Sequence, residues 1–318
     1  YGRAALGLGL ALGLDALVRR WRWDRLERWL AQLSLCALLL IPVWAAARAA
    51  FTPRTFFSPV LARTWRDLDA SLPRDARLWQ WWDFGYAAQS LAHRVTFGDG
   101  GENSGPWLLP LARVLATSSP LQAAQIMRLA AQGLGTAHGA AHGSGRGAPL
   151  AFLRDLPPIQ AQALLEALAQ RRLPAKATAP PQYLVLSWES LRLLPWITAY
   201  GTWKLTNGEH QPAPLELLTT GYTLDEAAGT LTTRDGRVIY LAALYRPAVG
   251  GPGLCRTWPH SGGAIALVHE GLGEVALLDA NGAATLLFRL LAEDPAGFAD
   301  SFELVIDRAP WVRVYRAK

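Results

Sequence analysis

Trp29 to Ala47 run for 19 positions without a formal charge, with Leu38-Leu39-Leu40-Ile41 near the centre. A helix needs about 20 apolar residues to cross a hydrocarbon core of about 30 Å. The stretch therefore predicts a membrane span, and it limits how the segments on either side can fold. Pro42 is expected to kink this helix rather than end it, which a bilayer-embedded helix tolerates. A second apolar stretch, Ala4 to Val18, is shorter, Gly-rich and interrupted by Asp15. It reads as the other arm of a helical hairpin. A signal-peptide core fits less well, because the basic cluster follows the apolar run instead of preceding it. The only Met is Met127, so Tyr1 is not a translation start, and a processed chain or part of a longer one is expected.

Between the two stretches, residues 19–28 carry five Arg, with Trp21, Trp23, Asp24 and Glu27. Short Arg-rich loops stay on the cytoplasmic side and Trp favours the interface. With that loop inside, everything after about Phe51 is expected across the membrane, which in a bacterium is the periplasm. The chain is then a multi-pass protein of a bacterial inner membrane with its C-terminal domain outside the cytoplasm.

The net charge of +6 suggests nucleic acid until it is located. Residues 1–50 hold seven Arg against Asp15, Asp24 and Glu27, which accounts for four of the six charges. A nucleic-acid binder carries its surplus as a basic stripe on a folded domain, so nucleic acid is excluded as a partner and membrane lipid favoured. Hydrophobic residues make up 51% of the chain and charged ones 18%, too apolar for disorder. Two cysteines, Cys36 and Cys255, supply neither a disulfide framework nor a cysteine zinc site; both read as small buried hydrophobes.

Past the membrane, Ser58-Pro59 reads as a helix N-cap followed by proline at the first helical position, and the helix runs until Pro73. Residues 77–82 read as a strand broken by Asp83-Phe84-Gly85. Further helices are expected at 86–92, 107–117, 121–132, 159–171 and 188–194, with strands near 95–97 and 183–186. After Gly201 short apolar runs, 215–218, 238–244, 265–269 and 274–278, are separated by turn pairs such as Asn207-Gly208 and Asp235-Gly236. A helix at 283–291 precedes strands at 302–306 and 312–315. The expected fold is α+β: a transmembrane hairpin over 1–50, a mixed α/β domain over 51–200, and a β-rich lobe over 201–318.

Trp81-Trp82-Asp83-Phe84-Gly85 is the stretch most informative about function. Neighbours on a strand point to opposite faces, so these side chains converge only where the strand ends, and Gly85 permits such a turn. An indole is a donor only, a carboxylate an acceptor only, and a hydroxyl offers one donor and two lone pairs. Two indoles and one carboxylate therefore saturate a single aliphatic hydroxyl. The bland reading keeps the Trp residues as core packing and Asp83 as a helix cap.

Trp81-Trp82-Asp83-Phe84-Gly85 resembles the WWDYG signature of oligosaccharyltransferase catalytic subunits of the bacterial PglB and archaeal AglB type. Asp99-Gly100-Gly101 lies downstream at a distance similar to the family's Asp-Gly-Gly. The proline-bearing last membrane helix, the helix before the motif and the β-rich end occur in the family's order, so the resemblance spans the chain as the C-terminal part of a longer enzyme. It implies transfer of a glycan from a polyprenyl-pyrophosphate donor to Asn in Asn-X-Ser/Thr acceptors, a GT-C class reaction. Trp81, Trp82 and Asp83 would hold the acceptor Ser/Thr hydroxyl, with Phe84 and Gly85 as motif support; Phe84 replaces the usual Tyr, a group the hydroxyl trio does not need. A family element with two apolar residues three apart falls on Trp188 to Leu194, giving Leu191 and Leu194 as apolar contacts to the acceptor, or Ser190 and Leu193 with a one-residue slip.

The resemblance also implies a divalent metal, Mn or Mg, and a lipid-linked oligosaccharide, both bound through an upstream membrane half. No catalytic residue and no metal ligand is expected in this chain, which alone should not transfer glycan. Two other readings stay open: a non-catalytic, membrane-anchored periplasmic module that binds peptides or proteins, and a membrane glycosyltransferase with a different acceptor. His138 and His142 sit four apart in a Gly-rich loop with no intervening Glu, so a loop is favoured over a metal pair. Asp99 and Glu102 flank a Gly-Gly turn and read as solvated. Most of the fourteen Trp read as core and interface residues.

Overall fold

The computed structural model describes residues 16, 25–50, 56–132, 153, 156–172 and 180–318. The chain divides into two compact units, 1–56 and 57–318. In the first, helix α1 spans Arg25–Ala50 and exposes Trp29, Leu30, Leu33, Leu38, Leu40, Ile41, Val43 and Trp44. Among the described residues no helix is long and apolar enough to cross a membrane, so the expected hairpin is not confirmed. The side chains at positions 31, 32, 35, 39 and 42, the Arg-rich loop before Arg25, and the first apolar stretch apart from Ala16 lie outside the described residues.

The second unit opens with helix α2, Pro59–Ser71. The Ser58 side chain accepts the Leu61 N–H, Pro59 takes the first turn, and Leu61, Trp65 and Leu68 form the buried face. Strand β1 is Arg77–Trp79, helix α3 Gly85–Ala92 and strand β2 Val95–Thr96. Helices α4, Gly105–Ala116, and α5, Pro120–Gln132, follow. Helix α6, Pro158–Ala167, leads to strand β3, Gln182–Ser187, and to helices α7, Trp188–Leu191, and α8, Leu194–Gly201. The single helix expected over 188–194 is thus two, because Pro195 starts a new helical turn. The Gly-rich loop with His138 and His142 lies outside the described residues.

β1 runs parallel to both β2 and β3. Two strands from the far end of the chain, β11 (Phe302–Arg308) and β12 (Val312–Ala317), complete this sheet in the order β11-β12-β3-β1-β2. Every residue of β3 is buried, as befits a strand covered on both faces. The remaining strands, β4 (Leu215–Leu218), β5 (Thr223–Asp225), β6 (Thr230–Thr232), β7 (Val238–Ala248), β8 (Gly251–Thr257), β9 (Ala264–His269) and β10 (Glu274–Leu278), form a second sheet. Its order is β4-β10-β9-β7-β6-β5, with β8 on β7. Strands β5, β6 and β8 were not expected, being short or rich in Gly and Thr. Helices α9, Ala280–Ala284, and α10, Leu286–Ala292, replace one expected helix; Thr285 ends the first and caps the second.

Cys36 and Cys255 are both exposed, correcting the buried reading. Cys255 lies on β8, which pairs only with β7 and presents residues 254–257 to solvent.

His269, at the end of β9, is fully buried between the rings of Trp188 and Trp311, at centroid distances of 5.0 and 4.2 Å. Its Nδ1 accepts the Leu272 N–H at 3.2 Å, so the neutral ring carries its proton on Nε2. Burial holds its pKa below 6.5. A depressed His pKa contributes stability that is present above the unfolded value and lost as pH falls through 6.5 toward the folded value. His269→Asn keeps an acceptor near Nδ1 and is expected to flatten the fall in melting temperature between about pH 7 and about pH 5. Equal slopes for the two proteins in thermal melts would refute this.

Candidate functional site

β1 ends after Trp79, three residues earlier than expected, because Gln80 leaves the ladder. The Gln80 side chain is buried; its Oε1 accepts the Trp65 indole N–H at 2.9 Å and its Nε2 donates to the Phe84 carbonyl at 2.9 Å. A polar residue inside an apolar strand edge is retained where it saves other groups from being unpaired. Gln80 thereby bends the chain into a 3-10 turn over Trp82–Phe84, closed by the Phe84 N–H on the Trp81 carbonyl. The turn sits at the carboxyl end of a parallel strand, where open α/β sheets place ligands. Trp79 beneath it stacks on Phe97 at 3.6 Å and donates to Gln182 at 2.7 Å.

Trp81, Trp82 and Asp83 come together on this turn. The two indoles are 6.4 Å apart and inclined at 46°. Trp81 is buried, while Trp82 and Asp83 are half-buried. Burial pushes the Asp83 carboxyl above its ordinary 3.8, and a hydrogen bond from the Trp81 indole partly opposes that rise. The N-cap position of the helix that follows is Phe84, not Asp83, and the carboxylate is held by one indole. Phe84 is buried in the main core, where a phenol would need a partner and a phenyl ring does not.

Gly85 has φ −56°, an ordinary helical value, so the turn does not require glycine's freedom. What requires it is close approach: a Cβ here would lie 2.4 Å from the Gly98 carbonyl oxygen and 2.5 Å from the Asp99 Cα. Gly85→Ala must therefore move backbone rather than a side chain. It is expected to lower stability by about 1–3 kcal/mol or more, measured by denaturant unfolding; an unchanged midpoint would show that the two segments part freely.

Asp99 corrects the solvated reading of its turn: it is buried, and its carboxylate accepts the Gly101 and Glu102 N–H groups and a Gln89 side-chain N–H. Behind the motif, buried Arg94 binds Asp69 at 2.9 Å and the Leu72, Pro73 and Ala92 carbonyls, pinning the C-termini of α2 and α3 to one another. Gln80, Gln89 and Arg94 were missed from sequence; the only trace was a Gln between two Trp.

Leu191 and Leu194 are both fully buried in the same core as Trp81 and Phe84. Leu193 lies half-buried between them, at the break separating α7 from α8, and the Ser190 hydroxyl meets that of Ser187. Among the described residues no group of three or more His, Cys, Asp or Glu is arranged to hold a metal ion.

Parallel β1 flanked by β2 and β3, with a Trp-Trp-Asp turn at its end and helices on its faces, defines the core of a particular class of domain. Residues 74–207 match the family model of the STT3/PglB/AglB core domain. The crystal structure of the C. jejuni PglB C-terminal domain superposes with a TM-score of 0.55 over 81% of this chain and 99% of that one, at 14% sequence identity. At that identity the likeness speaks for the fold. No curated protein matches the chain in sequence. Residues 74–207 are thus similar to the core domain of the STT3/PglB/AglB family, and over the wider chain the likeness is one of fold.

Proposed function

We propose that this chain is the acceptor-recognising part of a membrane oligosaccharyltransferase. The full protein would transfer a glycan from a polyprenyl-pyrophosphate donor to Asn in Asn-X-Ser/Thr acceptors. The observation that carries the reading is the turn at Trp81–Asp83, where a half-buried carboxylate and two neighbouring indoles meet at the end of β1.

Asp83 would accept a hydrogen bond from the acceptor Ser or Thr hydroxyl while the indole N–H of Trp82 donates to a lone pair of that hydroxyl. The Trp81 N–H already rests on the Asp83 carboxylate, so the group is partly organised before the hydroxyl arrives. Holding that residue would set the acceptor Asn two positions away in register for reaction, a positioning contribution to rate. Because Leu191 and Leu194 lie inside the core, their part is to shape the floor beneath the acceptor. Direct apolar contact with its Thr methyl falls to half-buried Leu193.

The remaining parts belong to the same proposal. Residues Trp29–Ala47, within helix α1, would anchor the protein in a bacterial inner membrane, with the second unit in the periplasm and membrane lipid around the hairpin. The lipid-linked oligosaccharide and a Mn or Mg ion would be held by segments outside this chain.

The test uses the full-length parent with a lipid-linked donor and two reporters, one with Asn-X-Thr and one with Val in place of Thr. Glycosylated reporter, read by mass, is expected to collapse for the Val reporter and for Asp83→Ala. Transfer indifferent to both would reduce the Trp-Trp-Asp turn to a structural role. Absence of transfer by folded wild type with a verified donor would favour a non-catalytic peptide-binding module.

A further inference from the structure

Beneath the Trp81–Asp83 turn lies a polar brace that the hydroxyl-binding trio does not itself include. Helix α3 starts at Gly85 and, one turn later, presents Gln89. The Gln89 Nε2 donates to Asp99 Oδ2 at 2.8 Å and to the Thr96 hydroxyl at 2.7 Å. The other carboxylate oxygen of Asp99 accepts the Gly101 N–H at 2.8 Å and the Glu102 N–H at 3.1 Å. Asp99 is 5% exposed, so both of its oxygens are satisfied inside the protein and neither is spare for a ligand.

The brace closes a ring back to the motif. The Gly98–Asp99 backbone occupies the space a Gly85 side chain would need, and a Cβ on Gly98 would stand 3.5 Å from the Trp82 Cβ. The Tyr86 ring covers the Gly-Gly turn, where a Cβ on Gly100 would lie 2.7 Å from the ring. Trp82, Gly85, Tyr86 and Gln89 therefore all register on one short segment whose conformation is fixed by the Asp99 carboxylate.

We propose that Asp99, held by Gln89, is a positioning residue for acceptor recognition: it sets the platform against which Trp82 and Asp83 are aimed at the acceptor hydroxyl. This rests on the function proposed above. Asp99 touches neither acceptor nor donor in it. Its effect is exerted through the placement of the indole and carboxylate, and sub-ångström misplacement of such groups weakens recognition.

The test measures acceptor KM and kcat of the full-length parent with an Asn-X-Thr peptide and a saturating lipid-linked donor. Gln89→Met removes the brace without touching the turn that Asp99 forms with the Gly101 and Glu102 N–H groups. In Asp99→Asn the amide oxygen keeps those two N–H groups, and the Gln89 carboxamide turns over so that its oxygen accepts from the new NH2 and from the Thr96 hydroxyl, preserving the contact with reversed polarity. The expectation is that Gln89→Met raises acceptor KM by about tenfold, the scale of one misplaced hydrogen bond, with kcat little changed, and that Asp99→Asn stays near the wild-type KM. A folded Gln89→Met with wild-type KM, or an Asp99→Asn no better than Gln89→Met, would overturn the proposal. Should Gln89→Met fail to fold by circular dichroism, Gln89→Ala is expected to raise KM in the same way. Asp83→Ala run alongside separates the two layers: if it leaves acceptor KM unchanged, the hydroxyl-binding reading fails, and the role of Asp99 with it.

Discussion

Asp83→Asn is expected to lower kcat/KM for an Asn-X-Thr acceptor by about 100-fold or more, while leaving the fold as stable as wild type or more so. The loss follows from hydrogen-bond chemistry. A carboxamide presents an NH2 where the hydroxyl needs an acceptor, and sites built to bond a hydroxyl discriminate steeply once that bond is spoiled. The stability expectation follows from linkage. Burial raises the Asp83 pKa in the folded state, so the native protein holds the proton more tightly than the unfolded chain does. Such a group opposes folding when ionised, and its penalty fades as pH falls through the folded pKa toward 3.8. Removing the charge removes the penalty. The same shift predicts that acceptor recognition by wild type weakens on acidification as pH descends toward the Asp83 pKa, and that the weak residual recognition by Asp83→Asn lacks this step. Acceptor titrations across the acid range, paired with thermal melts at neutral pH, check both halves. An Asp83→Asn enzyme with wild-type kcat/KM would remove the carboxylate from recognition.

The largest effect on stability is expected at Arg313, on β12. Its side chain is fully buried and pairs with Asp307 on β11 at 3.1 Å. It also donates to the Leu290 and Glu293 carbonyls, at 3.2 and 2.7 Å, and to the Ala248 carbonyl at 3.2 Å. One guanidinium thus ties the hairpin that completes the first sheet to the end of α10 and to the end of β7 in the second sheet. Breaking a buried ion pair from one side costs about 3–5 kcal/mol, because the remaining charge is left uncompensated. Arg313→Met is expected to lose that much in urea or guanidinium unfolding. Pairing it with Asp307→Leu should recover part of the loss, since no buried carboxylate then remains. A loss under about 1 kcal/mol would mean that water reaches Asp307 when the arginine is gone.

Much of the layout was legible in the chain. Ser58-Pro59 and Pro73 marked both ends of α2 because caps and proline act locally. β4 and β10 were read at their full spans, since short apolar runs between turn signals suffice to define a strand. The Trp-Trp-Asp turn was found where it stands, because indole and carboxylate chemistry in five consecutive residues is a local signal. What was misread depended on partners distant in sequence. Asp99 resembles a solvated turn acid until Gln89 and Gly85 are brought over it. Leu191 and Leu194 have the spacing of a contact pair, yet the core claims both and leaves Leu193 nearer the surface. Cys255 resembles a buried residue until β8 proves to be a strand paired on one side only.

The sequence by itself determined many of the elements, the motif and the chemistry the motif can offer, because these rest on neighbouring residues and on side-chain donors and acceptors. Only the tertiary structure decided that β11 and β12 return across more than a hundred residues to complete the sheet bearing the motif. It also decided that buried Gln80, Arg94 and Asp99, with half-buried Gln89, hold that motif in place. The reason is physical: strand order and buried polar pairing are set by which distant groups satisfy each other away from water, and no local pattern records that choice.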